Sequence, residues 1–429
     1  MMRRMLLTTH VERRRLEGLD REALRALQLE KLNRLLQHIL PHNRFYAEKL
    51  NGLKLPLSSL DELATLPFTF KQELALDLPS HEFAANLTYP VEHYVRFHRT
   101  SGTRGRPMVV LDTPQDWQWW MDVWQFVLDS AEIGPEDRAL LAFSFGPFIG
   151  FWSAFDAIIA RGALAIPAGG MNTLQRLELM RTSRATVVLC TPSYALHLAE
   201  VAAEHHIDVA AMEVRRIIVA GEPGGSIPHV RRRIEQAWNA RVVDHGGASE
   251  IGPWGFADPH DRGLHVIESE FIADFISVST GEAAQEGELS ELVLTNLGRY
   301  GSPVIRYRTG DLVRPAWPQT GPNRFVLLAG GILTRSDDMM IIRGVNVFPS
   351  SIEQILRSFP EVVEYRLIAR RMAAMDELRV EVEDRLSEPA RIANELQVRL
   401  GLKVEVQCVP LGSLPRFEGK GKRFVDERG

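Results

Sequence analysis

The residues whose types and spacing can do chemistry fall into four short segments between positions 99 and 420. The first, Thr100-Ser101-Gly102-Thr103-Arg104-Gly105-Arg106, packs glycines, hydroxyls and cations closely together. Glycine lets backbone approach an anion, and successive amides with hydroxyls make a nest for phosphate oxygens. It is not a Walker loop, because Gly-x-x-x-x-Gly-Lys-Ser/Thr is absent and its flanks read as two strands. The second, Gly246-Gly247-Ala248-Ser249-Glu250, follows an apolar run and ends on a carboxylate, a ligand suited to Mg²⁺ bridging triphosphate oxygens. The third, Tyr307-Arg308-Thr309-Gly310-Asp311, offers a carboxylate that accepts from the vicinal hydroxyls of a sugar. Bonds to such charged groups are worth about 1.5–3 kcal/mol each. The fourth, Arg416-Phe417-Glu418-Gly419-Lys420, supplies a flexible ammonium, which can hold charge developing between a carboxylate and a phosphate. Lys422 and Arg423 read instead as a solvated basic tail. Each segment alone also fits an ordinary turn.

The elements that must position these residues are legible in the periodicity. The first 90 residues read as helical, with Asp20 capping a helix that carries Leu29, Leu32, Leu35, Leu36 and Ile39 and stops at Pro41. Thr69 and Gln72 fit a capping box. Strand-like runs, around Val91 to His98 and Met108 to Leu111, flank the glycine loop. From 115 to 245 helices alternate with short apolar runs such as Thr186 to Cys190 and Arg216 to Ala220, the pattern of a mostly parallel sheet with covering helices. Glu288 to Thr295 and Val304 to Arg308 alternate at period two and read as a β-rich region, with Asp311 at a strand end. After Asp337-Asp338 the texture changes. Ser350 and Glu353 fit a second capping box, strands are expected at Val362 to Ile368 and Leu378 to Val382, and a helix runs from Pro389 to Leu400 with Gly401 as its stop. The expected fold is α/β: a large N-terminal domain over 1–333, its first 85 residues or so helical, with parallel-type sheets and a β-rich subdomain. A small mobile α+β domain follows over 334–429.

Composition excludes several classes. The chain has 429 residues, too many for one core, and 45% hydrophobic with 24% charged residues is ordinary for a soluble protein. A net charge of −5 gives no footprint for nucleic acid, and the arginines at 3, 4, 13, 14 and 15 read as a solvated face. Cys190 and Cys408 are the only cysteines, too few for a disulfide framework and suited to a reducing cytoplasm. The apolar stretch from Phe151 to Pro167 is broken by Asp156 and Arg161, too short and too charged to span a bilayer. Met5-Leu6-Leu7 is too brief for a signal peptide.

In this order the segments resemble the adenylate-forming superfamily of acyl-CoA synthetases, luciferases and peptide-synthetase adenylation domains. The likeness is closer to the phenylacetate–CoA ligase family, through Leu29-Glu30-Lys31-Leu32, Leu66-Pro67-Phe68-Thr69-Phe70-Lys71, Gly221-Glu222-Pro223 and Ile342-Arg343-Gly344-Val345-Asn346-Val347-Phe348-Pro349, from about residue 15 to the end. The resemblance implies an AMP-forming ligase that activates an aromatic carboxylic acid with ATP and passes the acyl group to coenzyme A. It implies that Ser101, Gly102, Thr103 and Gly105 bind phosphates, Glu250 holds Mg²⁺, and Asp311 and Arg335 hold the nucleotide, with Asp311 on the ribose. Gly221, Glu222 and Pro223 then lie along the adenine, and Lys420 drives adenylation. Phe143 and Phe148 wall the acid, Asp337 is a hinge, and Gly344, Val345 and Asn346 face the thiol's entry path. A homodimer is part of the same expectation. Two other readings stay open: transfer to a carrier protein or amine, and a catalytically degenerate nucleotide-binding homologue.

The chain also departs from that pattern. The family usually carries an adenine-stacking tyrosine where Gly246 stands, for which His245 is a substitute. Threonine and lysine are usual where Arg104 and Arg106 stand. The cysteines common after the metal glutamate are absent between Ala257 and His265, and His260 with His265 do not make a metal site.

Overall fold

The alternation between residues 115 and 245 folds into one side of a mixed sheet. In the computed structural model the strands Arg241–Ala248, Arg216–Val219, Val187–Cys190, Arg138–Leu141 and Leu164–Pro167 lie side by side in that order and all parallel. Four antiparallel strands extend the sheet: Gly252–Ala257, Gly263–Val266, Leu327–Ala329 and Pro315–Ala316. The structure describes all residues except 1–5, 76–82, 101–106, 144, 261, 337–339, 343–344, 373–374, 401, 416–422 and 428–429; at 341, 345, 346, 350, 354, 371, 372, 375 and 376 only the backbone is described. Ser101, Gly102, Thr103, Gly105, Asp337, Gly344 and Lys420 therefore lie outside the described residues.

Parallel strands buried on both faces need covering helices. Pro114–Ser130, begun by a capping box between Thr113 and Asp116, buries Trp117, Trp119, Trp120 and Trp124. On the opposite side Pro192–Glu204 and Pro228–Trp238 enclose a second core around Val188, Ile217 and Val242. Beside this body the strands Phe271–Ser277, Ser290–Asn296, Tyr307–Val313 and Thr334–Arg335 form an antiparallel sheet, the β-rich region expected from period-two alternation.

The helix Arg21–Ile39 starts where expected, its Ala23 amide donating to Asp20 at 2.8 Å, and buries Leu32, Leu35, Leu36 and Ile39 with Ile272, Leu297 and Ile305. Two local expectations fail here. Arg13 is not on a solvated face: it is 1% exposed and pairs with Asp129 at 2.6 Å. Thr69 caps nothing, because its hydroxyl donates to the Ile305 carbonyl and its backbone bridges Tyr307 in parallel. Glu73 instead receives the Phe70 amide at 2.7 Å.

The small α+β unit has the sheet order Glu405–Cys408, Met375–Asp384, Val362–Met372, Phe424–Glu427. Helices Pro349–Leu356 and Pro389–Leu400 cover it, closing a separate core of Ile352, Leu367, Val380, Ile392 and Leu396. The first of these helices has Phe348 at its N-cap with no side-chain cap, so Ser350 falls inside the helix and not at its cap, and Pro349 starts the helix by its fixed φ.

Candidate active site

Glu250 occupies the turn between Arg241–Ala248 and Gly252–Ala257, at the end of the last parallel strand. In open α/β sheets the crevice outside the carboxyl ends of the strands is where ligands are met. Its Oε1 accepts the Tyr307 hydroxyl at 2.8 Å. Tyr307 is 2% exposed. Burial first, and then the charge of Glu250, push its pKa far above the usual range, so the phenol stays a neutral donor.

Asp311 lies on the same strand, four residues on, but not at its end. Glu291 pairs with Leu312 and Val293 with Arg308, so Thr309, Gly310 and Asp311 crowd opposite Leu292 as a bulge. Bulges re-aim side chains beside active sites. Gly310 has φ +75°, and a Cβ there would stand 2.9 Å from the Arg335 guanidinium, so the bend needs glycine. Arg335 faces Asp311 across the ladder and donates from Nη1 to Oδ1 at 3.0 Å. Arg335 and Asp311 both act electrostatically on Tyr307, so the two motif carboxylates share one field.

The Gly221-Glu222-Pro223 motif follows the neighbouring parallel strand. Gly221, with φ +93°, turns the chain after Arg216–Val219, and Glu222 Oε1 receives the Ser193 amide at 2.8 Å. Just beyond Pro223, Ser226 donates to the buried Asp244, and a Cβ on Gly331 would stand 2.8 Å from Ser226. The Gly221–Ser226 stretch and the stretch leading to Arg335 therefore meet.

The stem of the glycine loop is closed by the Thr100 amide on Met108 O and the Met108 amide on Thr100 Oγ1, both at 2.9 Å, above the antiparallel pair Arg96–Arg99 and Val109–Asp112. The Arg99 amide donates to Pro147 O at 2.8 Å, tying this stem to the aromatic segment. There Phe143 stacks on Phe151 at 4.3 Å and 25°, and Phe148, 36% exposed, meets Phe151 edge-on at 6.4 Å. Phe151, which joins the two expected rings, is a residue sequence reading missed. Its only signal is its place three residues after Phe148. Phe145 turns to Trp152 and Phe155. Val345 and Asn346 sit in a short strand paired with Met340–Ile342.

Arg299 was also missed, for it stands in no motif. It is fully buried, donating to Ser249 O at 2.9 Å and to Asp112 at 2.8 Å, so it ties the Glu250 turn to the loop-bearing hairpin. Burial raises Asp112 to about 6, against the pull of Arg299.

The vacant tyrosine position has a structural cause. A Cβ on Gly246 would lie 2.7 Å from the Trp254 ring, which fills that place from the neighbouring strand. His245 is not the substitute: it is buried, its Nδ1 lies 2.8 Å from Gly255 O and its ring packs on Trp124 at 4.3 Å. His265 is likewise internal, held between Asp258 and Phe325 O at 2.9 Å each. Among the described residues no three His, Cys, Asp or Glu side chains stand together as a metal cage, and no helix is long and apolar enough to cross a membrane.

Three comparisons bear on this arrangement. Residues 344–428 match the family model of the AMP-binding enzyme C-terminal domain. The chain is 31% identical to a phenylacetate-coenzyme A ligase of Thermus thermophilus, covering 96% of this chain and 98% of that one. Among solved structures, a 2-hydroxyisobutyryl-CoA ligase in the postadenylation state overlays with a TM-score of 0.91 at 26% identity, covering 100% of this chain and 95% of that one. The thioesterification state of the same ligase, at 27% identity and the same coverage, overlays at 0.74. With near-complete coverage at that identity to a curated relative, and the whole fold in common with a CoA ligase, this chain belongs to the phenylacetate–CoA ligase family of adenylate-forming enzymes.

Proposed function

We propose that the protein joins an aromatic carboxylic acid of the phenylacetate type to coenzyme A, with ATP cleaved to AMP and pyrophosphate. The observation that carries this reading is that Tyr307, bonded to Glu250, and Asp311, bonded to Arg335, stand four residues apart on a single bulged strand. Family membership supports the reaction class, and the half-exposed rings of Phe143, Phe148 and Phe151 support a flat acid rather than a long alkyl chain.

In the first half-reaction a carboxylate oxygen attacks the α-phosphorus and the bond to the β-phosphate breaks, releasing pyrophosphate. Asp311 accepts from the ribose hydroxyls, with Arg335 orienting its carboxylate. Gly221, Glu222 and Pro223 line the base, Ser101 to Gly105 receive phosphate oxygens, and Lys420 steadies the charge that develops. Glu250 offers hard oxygens where a triphosphate would arrive. One such ligand suits Mg²⁺, which would take its remaining ligands from phosphates and water. When bound, the ion neutralises charge shared between phosphate oxygens. In the second half-reaction the thiol attacks the acyl carbonyl, loses its proton, and AMP departs. The reading places the small domain's turn about Asp337 and the Gly344–Asn346 segment on the thiol's path, starting the small domain near residue 334.

The reading extends to a cytoplasmic homodimer, supported by two free thiols and by the resemblance. Pyrophosphate release across a panel of aryl, arylacetic and fatty acids tests the function. Arylacetic acids should stand highest, and release without acid selectivity would overturn it.

A further inference from the structure

Arg423, read from sequence as part of a solvated tail, is among the most constrained cations of the small domain. Its side chain is 10% exposed. It donates to both oxygens of Glu364, at 2.7 and 3.1 Å, and its guanidinium lies over Tyr365 at 5.6 Å. Its carbonyl accepts the Leu367 amide at 2.7 Å, where Val362–Met372 pairs with the last strand. From this fixed position Nη1 reaches across to Glu222, 4.0 Å from Oε2. Glu222 is the carboxylate of the Gly221–Pro223 motif and is 15% exposed. The packing around it pushes its pKa up, and Arg423 is the foremost influence opposing that.

We propose that Arg423 is a positioning residue for adenylation: held by Glu364, it docks the small domain on Glu222 and so selects the domain arrangement in which the first half-reaction runs. This rests on the function proposed above. Neither domain needs the contact to fold, since Arg423 is already paired with Glu364 and Glu222 already has the Ser193 amide. What the pair adds is a preference between arrangements, and a contact made in one state shifts the population toward it. The overlay points the same way, at 0.91 with a relative in the postadenylation state and 0.74 with that relative in the thioesterification state. The 4.0 Å contact thus belongs to the first type of arrangement.

A double-mutant cycle of Glu222→Gln and Arg423→Gln tests this, read separately on acid-dependent pyrophosphate release and on thioester formation from supplied acyl-adenylate. Each single variant should slow pyrophosphate release about fivefold, a factor matching ~1 kcal/mol. The double variant should be no slower than the slower single, and Arg423→Gln should leave the thioester step within about twofold. Equal loss in both steps for Arg423→Gln, or additive losses in the double variant, would overturn the proposal. Because Arg423→Gln also strips Glu364 of a partner and Glu222 also lines the base, the coupling between the two changes, and not either single loss, carries the decision. Spin labels on Leu164→Cys and Val398→Cys, both exposed, with Cys408→Ser, read domain orientation independently of activity. Glu222→Gln should broaden the distance distribution at unchanged melting temperature, and an unchanged distribution refutes the docking role. A wild-type enzyme with no acid-dependent pyrophosphate release would instead defeat the proposed function, while the label distances still judge the contact.

Discussion

Replacing Tyr307 with phenylalanine removes one oxygen and isolates what holds Glu250. The phenol donates at 2.8 Å from a site that is 2% exposed, so water cannot readily replace it. A hydrogen bond to an ionised carboxylate is worth about 1.5–3 kcal/mol, which converts to roughly 10- to 150-fold in kcat/KM if the bond serves the transition state. The assay is initial-rate pyrophosphate release at saturating ATP with magnesium varied. The apparent magnesium requirement should rise together with the loss in rate, because the carboxylate is no longer aimed. The pH dependence carries a sign. The folded pKa of Tyr307 is raised above the ordinary 10.0, so the stability it contributes is fully present below about pH 10 and lost as pH rises beyond it. Wild-type protein should therefore lose stability more steeply above pH 10 than the phenylalanine variant in denaturant titrations. Kinetics within twofold of wild type, with an unchanged magnesium requirement, would refute the reasoning.

Gly246→Ala should destabilise the fold by ~1–3 kcal/mol through overpacking against Trp254, seen as a lower urea midpoint at constant slope, and Trp254→Leu should relieve most of it. Arg299→Gln strands the buried Asp112 carboxylate and should cost ~3–5 kcal/mol by denaturant titration. His245 is lowered by burial to about 4 from 6.5, so the stability it contributes is present above pH 6.5 and lost as pH falls toward 4. His245→Asn should accordingly flatten the acid limb of the stability curve in that window.

What sequence reading reached and what it missed divide along the range of the interaction. The helix Pro389–Leu400, the strands Val187–Cys190 and Arg216–Val219 and the cap at Asp20 follow from periodicity and local chemistry, which act over a few residues. Asp311 and Glu250 were singled out because their motifs are contiguous. The bulge that aims Asp311 depends on Glu291 and Leu292, about twenty residues back, and leaves no local mark beyond Gly310. Thr69 looked like a cap because its partner, the Ile305 carbonyl, is far along the chain. Arg13, Arg299 and Arg423 read as surface or went unremarked because arginine seldom lies buried. Each is held by a distant carboxylate: Asp129, Asp112 and Glu364. The loss of the tyrosine at 246 was visible in the sequence, but the Trp254 ring that leaves no room for a side chain there appears only once two strands pair.

The most direct measurement is product stoichiometry with phenylacetate, ATP, magnesium and coenzyme A. One AMP and one pyrophosphate should form for each arylacyl-CoA, with pyrophosphate release persisting for a single turnover when coenzyme A is omitted. Formation of ADP and phosphate, or nucleotide cleavage indifferent to the acid, would contradict the assignment.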